Sequence, residues 1–175
     1  MFERLLQVVA SRWFRLVLVA LLVLSLQTTL FSEIRFFGYS VQLMAIFVAV
    51  AGGVHDVRVG AIVGLVSGLM YDAVLATPLG ISGLVLGATG AGTALVLQSF
   101  REPTWWLRIL VMSATAALSE IVMPLTKAVV GLGGWLSPRM FVVSLVTFVG
   151  GLVLAAPFIP VSRWTLREQV SLGRR

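Results

Sequence analysis

Six apolar runs follow one another along this chain with little between them, at about 14–31, 39–54, 57–75, 79–98, 105–130 and 140–160. That succession constrains the fold more than any other feature. Hydrocarbon about 30 Å thick is crossed by roughly 20 residues of helix, because a helix satisfies its own backbone polar groups where no water can. Six crossings consume about 120 residues, and the chain has 175. The remainder suffices for loops and short tails, not for a separate soluble domain. Charged residues make up 11% of the chain, against about 25% in soluble domains, and the mean hydropathy is +1.03. The expected fold is one all-α integral membrane domain of six transmembrane helices spanning 1–175.

Local signals set the limits of each run. The basic residues before the first run resemble a signal peptide, but no small-x-small cleavage site follows, so it reads as an uncleaved first span. The second run is short for a span and is compatible with a tilted or partly re-entrant segment. Pro78 breaks the chain between the third and fourth runs, which are therefore antiparallel neighbours. Pro124 lies inside the fifth, and Pro157 and Pro160 are expected to end the sixth. The two halves of the chain do not match closely enough to form an inverted repeat.

Orientation follows from Lys and Arg in the short flanks. Arg4, Arg12, Arg15, Arg58, Arg101, Arg108, Arg163, Arg167, Arg174 and Arg175 fall on one side, against Arg35, Lys127 and Arg139 on the other. This places both termini in the cytoplasm. Trp13, Trp105, Trp106, Trp135 and Trp164 all fall at run ends, where an amphipathic ring prefers the headgroup level. The net charge of +6 is spread over these flanks, so it signals topology in a lipid bilayer, not nucleic-acid binding.

Few residues carry reactive chemistry. With no cysteine, thiol catalysis, disulfides and Cys-ligated metals are excluded. Gly80-Ile81-Ser82-Gly83 resembles the G-x-S-G string of intramembrane serine proteases, yet a serine nucleophile needs a base. His55 is the one histidine and lies at the opposite membrane face, about 25–30 Å away. The string reads better as a packing face. No two acids share a helix face at ligand spacing, so no metal or other cofactor is expected. His55, Asp56 and Arg58 read as a polar loop, and the glycine-rich strings lack the Lys of a P-loop.

The most patterned stretch is GAIVGLVSGLMYDAVLATPLG, from Gly60 to Gly80. At four-residue spacing successive positions drift only about 40° around a helix. Gly60, Gly64, Gly68 and Asp72 therefore share one stripe. Apolar lipid does not push helices together, so close backbone approach at small residues supplies contact instead. Span four has its own small set in Gly83, Gly87, Ala91 and, offset, Gly90 and Ala94. The two sets either pack on each other or await a partner. Asp72, beside Tyr71 at headgroup level, is a proton or substrate ligand, or else accepts hydrogen bonds from the turn at Thr77 to Gly80. The second role is favoured, since an anion is stabilised at a helix N-terminus. Pro78 and Gly80 then complete an anchored turn.

Glu120 is the other intramembrane acid. Lys127 lies seven residues on, near the same face, and Pro124 between them releases the Glu120 carbonyl from its helical partner. A kinked, polar spot facing the protein interior is expected. Arg139, on the same side of the membrane, is within reach of Asp72 or Glu120. A structural ion pair is favoured over partner contact or a transport ligand.

The segment GAIVGLVSGLMYDAVLATPLGISGLV, set in a chain of this size and span count, resembles the rod shape-determining MreD family. The resemblance rests on Gly68, Leu69 and Asp72, then Pro78, Leu79 and Gly80, and is concentrated between Gly38 and Gly90. The Pro-Asp pair that often opens the family's second span is missing, since Tyr39, Ser40 and Val41 follow Gly38. The resemblance implies a non-enzymatic scaffold of the bacterial elongation machinery in the cytoplasmic (inner) membrane. Such a protein binds MreC, works with RodA and its class B penicillin-binding transpeptidase, and supports side-wall peptidoglycan synthesis and cell shape.

It also implies a fold similar to the six-helix substrate-binding subunit of energy-coupling-factor vitamin transporters, which supplies the alternative function. That alternative requires an outward pocket, and the relevant loops hold Glu33, Arg35, Phe36, Phe37, Asp72, Trp135 and Arg139. The Ala-x-x-x-Ala docking face of such subunits is missing, because Ala20 has no alanine four residues away.

Overall fold

In the computed structural model the described residues are 11–33, 38, 40–75, 78–131 and 138–167, with the side chains of 30–33 and 75 excepted. Long apolar stretches without water must close their hydrogen bonds locally, and among the described residues they do so as six helices. These are α1 (Arg12–Glu33), α2 (Leu43–Val54), α3 (Val57–Leu75), α4 (Ile81–Gln98), α5 (Trp105–Val129) and α6 (Pro138–Leu166). Among the described residues there is no strand. Five helices, all but α2, are long and apolar enough to cross a membrane.

Helix α2 is different. Its 12 residues span about 18 Å at 1.5 Å per residue, short of the hydrocarbon thickness. Every residue from Leu43 to Gly52 is buried. A helix apolar all round belongs in an interior, and α2 touches each of the other five helices. Phe47 stands at its centre, fully buried, edge-on to Phe158 of α6 at 6.0 Å between ring centres. The second run thus yields a helix that begins at Leu43, four residues after its expected start, and serves as the core.

The described basic residues divide between two ends. Arg12, Arg15, Arg58, Arg101, Arg108, Arg163 and Arg167 lie at the end that holds His55; Lys127 and Arg139 lie at the end that holds Asp72. Trp13, Trp105, Trp106 and Trp164 are exposed at the His55 end. Arg4, Arg35, Arg174, Arg175 and Trp135 lie outside the described residues, as do Phe36, Phe37 and Tyr39.

One expectation is overturned. Pro157 and Pro160 do not end the last helix; α6 runs through both to Leu166. Each proline deprives a carbonyl one turn earlier of its N–H partner, a loss that membrane helices tolerate where neighbours re-satisfy the backbone. Here the neighbours hold the extension in place. The Arg15 guanidinium of α1 donates to the carbonyl oxygens of Trp164 at 3.0 Å and Arg167 at 2.7 Å. It also lies 5.6 Å from the centre of the Trp164 ring, in cation–π range. His55 Nε2 meets the Ser162 carbonyl at 3.4 Å. Burial of Ala155, Ser162, Thr165 and Leu166 completes the contact.

His55 ends α2 outside the spanning segments, and burial holds its pKa below the ordinary 6.5, ahead of the opposing influence of the Ser162 carbonyl. A histidine held neutral in the folded state stabilises it above its unfolded pKa, and that contribution is lost as pH falls through the folded pKa. Thermal stability in detergent should therefore decline below pH 6.5. The decline should be shallower in His55→Asn; parallel profiles for the two proteins would refute this.

Candidate functional site

The Asp72 end is assembled from helix termini that borrow their caps from other elements. A helix start leaves N–H groups without partners, and in hydrocarbon these are costly. Helix α3 solves the problem locally: Asp56 Oδ1 accepts from Val59 N–H at 2.7 Å. The Asp56 that reads as polar loop is a helix cap.

Helix α4 has no such side chain of its own, because its cap position is Gly80, at φ +105° with the left-handed conformation that glycine tolerates. Asp72 supplies the missing oxygen from the end of α3. Its Oδ2 accepts from Gly80 N–H at 2.9 Å and Ser82 N–H at 3.1 Å, and the residue is 0% exposed. Pro78 and Leu79 are exposed on the turn; Thr77 lies outside the described residues. Ser82 thus contributes its backbone to the Asp72 carboxylate, while its hydroxyl points to Met123 Sδ at 3.6 Å. His55 is at the other end of the bundle, and no serine–histidine pair forms.

Helix α2 is capped from α1. Gln27 Oε1 accepts from Met44 N–H at 2.9 Å, and its Nε2 donates to Gln42 Oε1 at 2.8 Å. This buried amide ties α1 to the start of α2 and escaped the sequence reading, although a lone glutamine within an apolar run was the available signal. Gln27→Leu leaves Met44 N–H unpaired in the interior, at a cost of about 1–3 kcal/mol. A lowered melting temperature in detergent is the expected result, and an unchanged one would show that the cap is dispensable.

The glycine stripe packs within the chain. A β-carbon added at Gly60 would strike the Gly90 carbonyl, at Gly64 the Leu86 carbonyl, and at Gly68 the Ser82 carbonyl and Gly83 backbone. The opposing glycines are not equivalent. Gly83 and Gly87 would place a β-carbon 3.4 Å from the Leu65 and Ala61 carbonyl oxygens, an ordinary contact. Closeness is demanded on the α3 side. It is demanded again at a crossing the sequence reading missed, where Gly52, Gly60 and Gly90 bring α2, α3 and α4 together with no room for a side chain on any of them. The adjoining α4–α5 and α5–α6 pairs are joined by hydroxyls. Thr93 and Thr115 are 2.7 Å apart, and Ser144 Oγ donates to the Ala117 carbonyl at 2.7 Å.

Next to these caps lies a cavity of about 310 Å³. Gln42, Met44 and Ala45 at the start of α2, and Tyr71 of α3, form part of its wall. Glu120, Met123, Pro124 and Lys127 of α5 and Arg139 of α6 form the rest of its polar side. Three charged residues singled out in sequence, Glu120, Lys127 and Arg139, therefore share one space. Asp72 does not line it. Lys127 is the cation that acts electrostatically on Glu120. Tyr71 is half-buried against the core and lines the cavity. Among the described residues no group of His, Cys, Asp or Glu could hold a metal ion. Glu33 ends α1, and its side chain is not among those described.

Compared with known proteins, the chain matches no family profile, no curated sequence and no solved structure.

Proposed function

We propose that this chain is a non-enzymatic membrane scaffold of the MreD type, which binds MreC and supports side-wall peptidoglycan synthesis and cell shape. The observation that carries the reading is the unit formed by Asp72, Gly80 and Ser82. The residues on which the resemblance rests, Gly68, Leu69 and Asp72 followed by Pro78, Leu79 and Gly80, are one hairpin closed by hydrogen bonds from Gly80 and Ser82 to the Asp72 carboxylate. The α3 stripe belongs to the same hairpin, since it packs on α4. The acid and the glycines are thus parts of a rigid support. In this reading α2 completes six crossings as a central helix, and both termini face the cytoplasm because the arginine-rich His55 end does. The resemblance carries with it a fold similar to that of the energy-coupling-factor substrate-binding subunits. RodA and its class B penicillin-binding transpeptidase join through the larger complex.

Because the glycine stripe is occupied, MreC docks on another face of the bundle. Co-purification with MreC of the same organism in mild detergent tests the proposal, with stable association and loss of rod shape on deletion as the expected results. No association together with normal rod shape would overturn it.

One observation favours a second reading, the substrate-binding subunit of an energy-coupling-factor vitamin transporter. It is the cavity, which sits at the end where such a subunit would take its ligand. A vitamin retained through purification and detected by native mass spectrometry would favour transport over scaffolding.

A further inference from the structure

Basic and aromatic side chains gather where the start of α1 meets the end of α6, at the His55 end. Arg15 directs its guanidinium to the Trp164 and Arg167 carbonyl oxygens and lies against the Trp164 ring. Arg12 lies over Trp13, 5.2 Å from the ring centre. These two arginines serve the chain itself. Arg163 and Arg167 do not. Both are exposed at the last turn of α6, and neither guanidinium is hydrogen-bonded or ion-paired to another described residue. At four-residue spacing they share a face, with β-carbons about 6 Å apart, and like charges so placed oppose each other. Cations near a helix C-terminus ordinarily complement its carbonyl groups, but Arg15 already takes two of those from α1.

The acids described at this end are Asp56 and Glu102. Asp56 caps α3, and Glu102 lies in the turn between α4 and α5, next to Arg101. The aromatic residues set a depth. Trp13 and Trp164 are exposed, and such amphipathic rings prefer the headgroup level. Arg163 precedes Trp164 and Arg167 follows it by less than one turn, so both stand at the level of lipid phosphates. Deeper along α6 the exposed residues are apolar: Pro160, Pro157, Ala156 and Val153. A pair of cations at phosphate depth thus continues into an apolar track, which is the chemistry of one whole phospholipid.

We propose that this face of α6 docks an anionic phospholipid, its phosphate bridging Arg163 and Arg167 and an acyl chain lying along Pro160 to Val153. Guanidinium groups hold phosphate oxygens through parallel charged hydrogen bonds, and basic clusters at the ends of spanning helices recognise anionic headgroups. Charge selects among bilayer lipids. Phosphatidylethanolamine would bring an ammonium group to a pair of cations, whereas phosphatidylglycerol brings none. Arginines that only set topology would need neither this pairing nor a preferred lipid. The inference uses no group of the cavity and holds for a scaffold as for a transport subunit.

In the test, the full chain purified in detergent is mixed with equal amounts of phosphatidylglycerol and phosphatidylethanolamine, and retained lipid is read by native mass spectrometry. Preferential retention of phosphatidylglycerol is expected. Arg163→Gln combined with Arg167→Gln should weaken it roughly 25-fold, about fivefold for each arginine at the membrane surface. Arg101→Gln combined with Arg108→Gln removes the same charge from the same end and should leave retention unchanged. Arg163→Lys combined with Arg167→Lys keeps the charge and should keep the lipid; loss in this pair as well as in the Gln pair would mean lost packing and would overturn the proposal. Equal retention of the two lipids would also overturn it, as would equal weakening by the two Gln pairs, which would reduce the arginines to a diffuse field. A lipid-free dimer of the wild-type chain would place a second copy on this face, with the same consequence. None of these outcomes bears on MreC association, so this inference and the scaffold reading fail separately.

Discussion

Replacing Gly64 by leucine should abolish the folded bundle. A β-carbon at this position already meets the Leu86 carbonyl carbon and Gly87 Cα of α4, and backbone of a neighbouring helix cannot rotate aside as a side chain can. Insertions into well-packed interiors cost about 1–3 kcal/mol and occasionally more. Leucine adds three further carbons beyond the clashing one, so the cost should exceed that range. It also spreads, because α3 and α4 are held at the same spacing at Gly60–Gly90 and Gly68–Gly83. Detergent-solubilised Gly64→Leu should elute as aggregate where the wild-type chain gives one symmetric peak.

Two other glycines serve as controls. Gly83→Ala meets only ordinary contacts, and Gly92→Ala meets nothing within 4 Å. Both should fold, the second with a gain of up to about 1 kcal/mol from helix propensity. A well-behaved Gly64→Leu protein of unchanged melting temperature would show that the stripe is not what sets the α3–α4 distance.

Removing the Asp72 carboxylate should have the next largest effect. Asp72→Ala strands two backbone N–H groups, those of Gly80 and Ser82, in a site that is 0% exposed. Each buried donor left unsatisfied costs about 1–3 kcal/mol. A loss of roughly 3 kcal/mol or more follows, seen as a large fall in melting temperature. Asp72→Asn keeps one acceptor oxygen but sacrifices the charge that suits a helix start, so it should lose only about 1 kcal/mol. The ordering Ala worse than Asn, with function falling in step with stability, is the mark of a structural acid. If Asp72→Asn folded and assembled like the wild-type chain yet lost all function, the carboxylate would be acting in chemistry or recognition instead.

The helices were largely legible before any coordinates. Apolar runs and the loss of water dictate helix locally, and α3, α4 and α5 lie within a few residues of the runs that announced them. The exceptions have tertiary causes. The second run looked like a weak span because length alone does not reveal burial on every side; α2 is short because it is interior. The prolines of α6 read as a stop, since their missing N–H groups are visible in sequence while Arg15 and His55, which secure the extension, come from 142 and 102 residues earlier, counted to Pro157.

The candidate site divides the same way. Glu120, Pro124 and Lys127 share a helix face by spacing, so their proximity was readable. Arg139 could be placed at the same end as Lys127, but its place in one cavity wall with Glu120, apart from Asp72, could not be read from spacing. Gln42 and Tyr71 join the cavity through the packing of α2 and α3, which no local pattern encodes. Gln27 was passed over because one amide among leucines has no period, and its importance depends on Met44 N–H lying beside it.

The sequence by itself determined that this chain forms apolar helices, which residues lie at each end of them, and that one stripe of α3 is too small to fill space. Those properties depend on spacing along one helix and on the cost of an unsatisfied backbone in hydrocarbon. Only the tertiary structure decided what the stripe packs against, that α2 is the core, and that Glu120, Lys127 and Arg139 line one cavity while Asp72 closes a turn. Helix order around a bundle follows from side-chain packing between segments distant in sequence, and apolar residues that look alike in one dimension do not specify it.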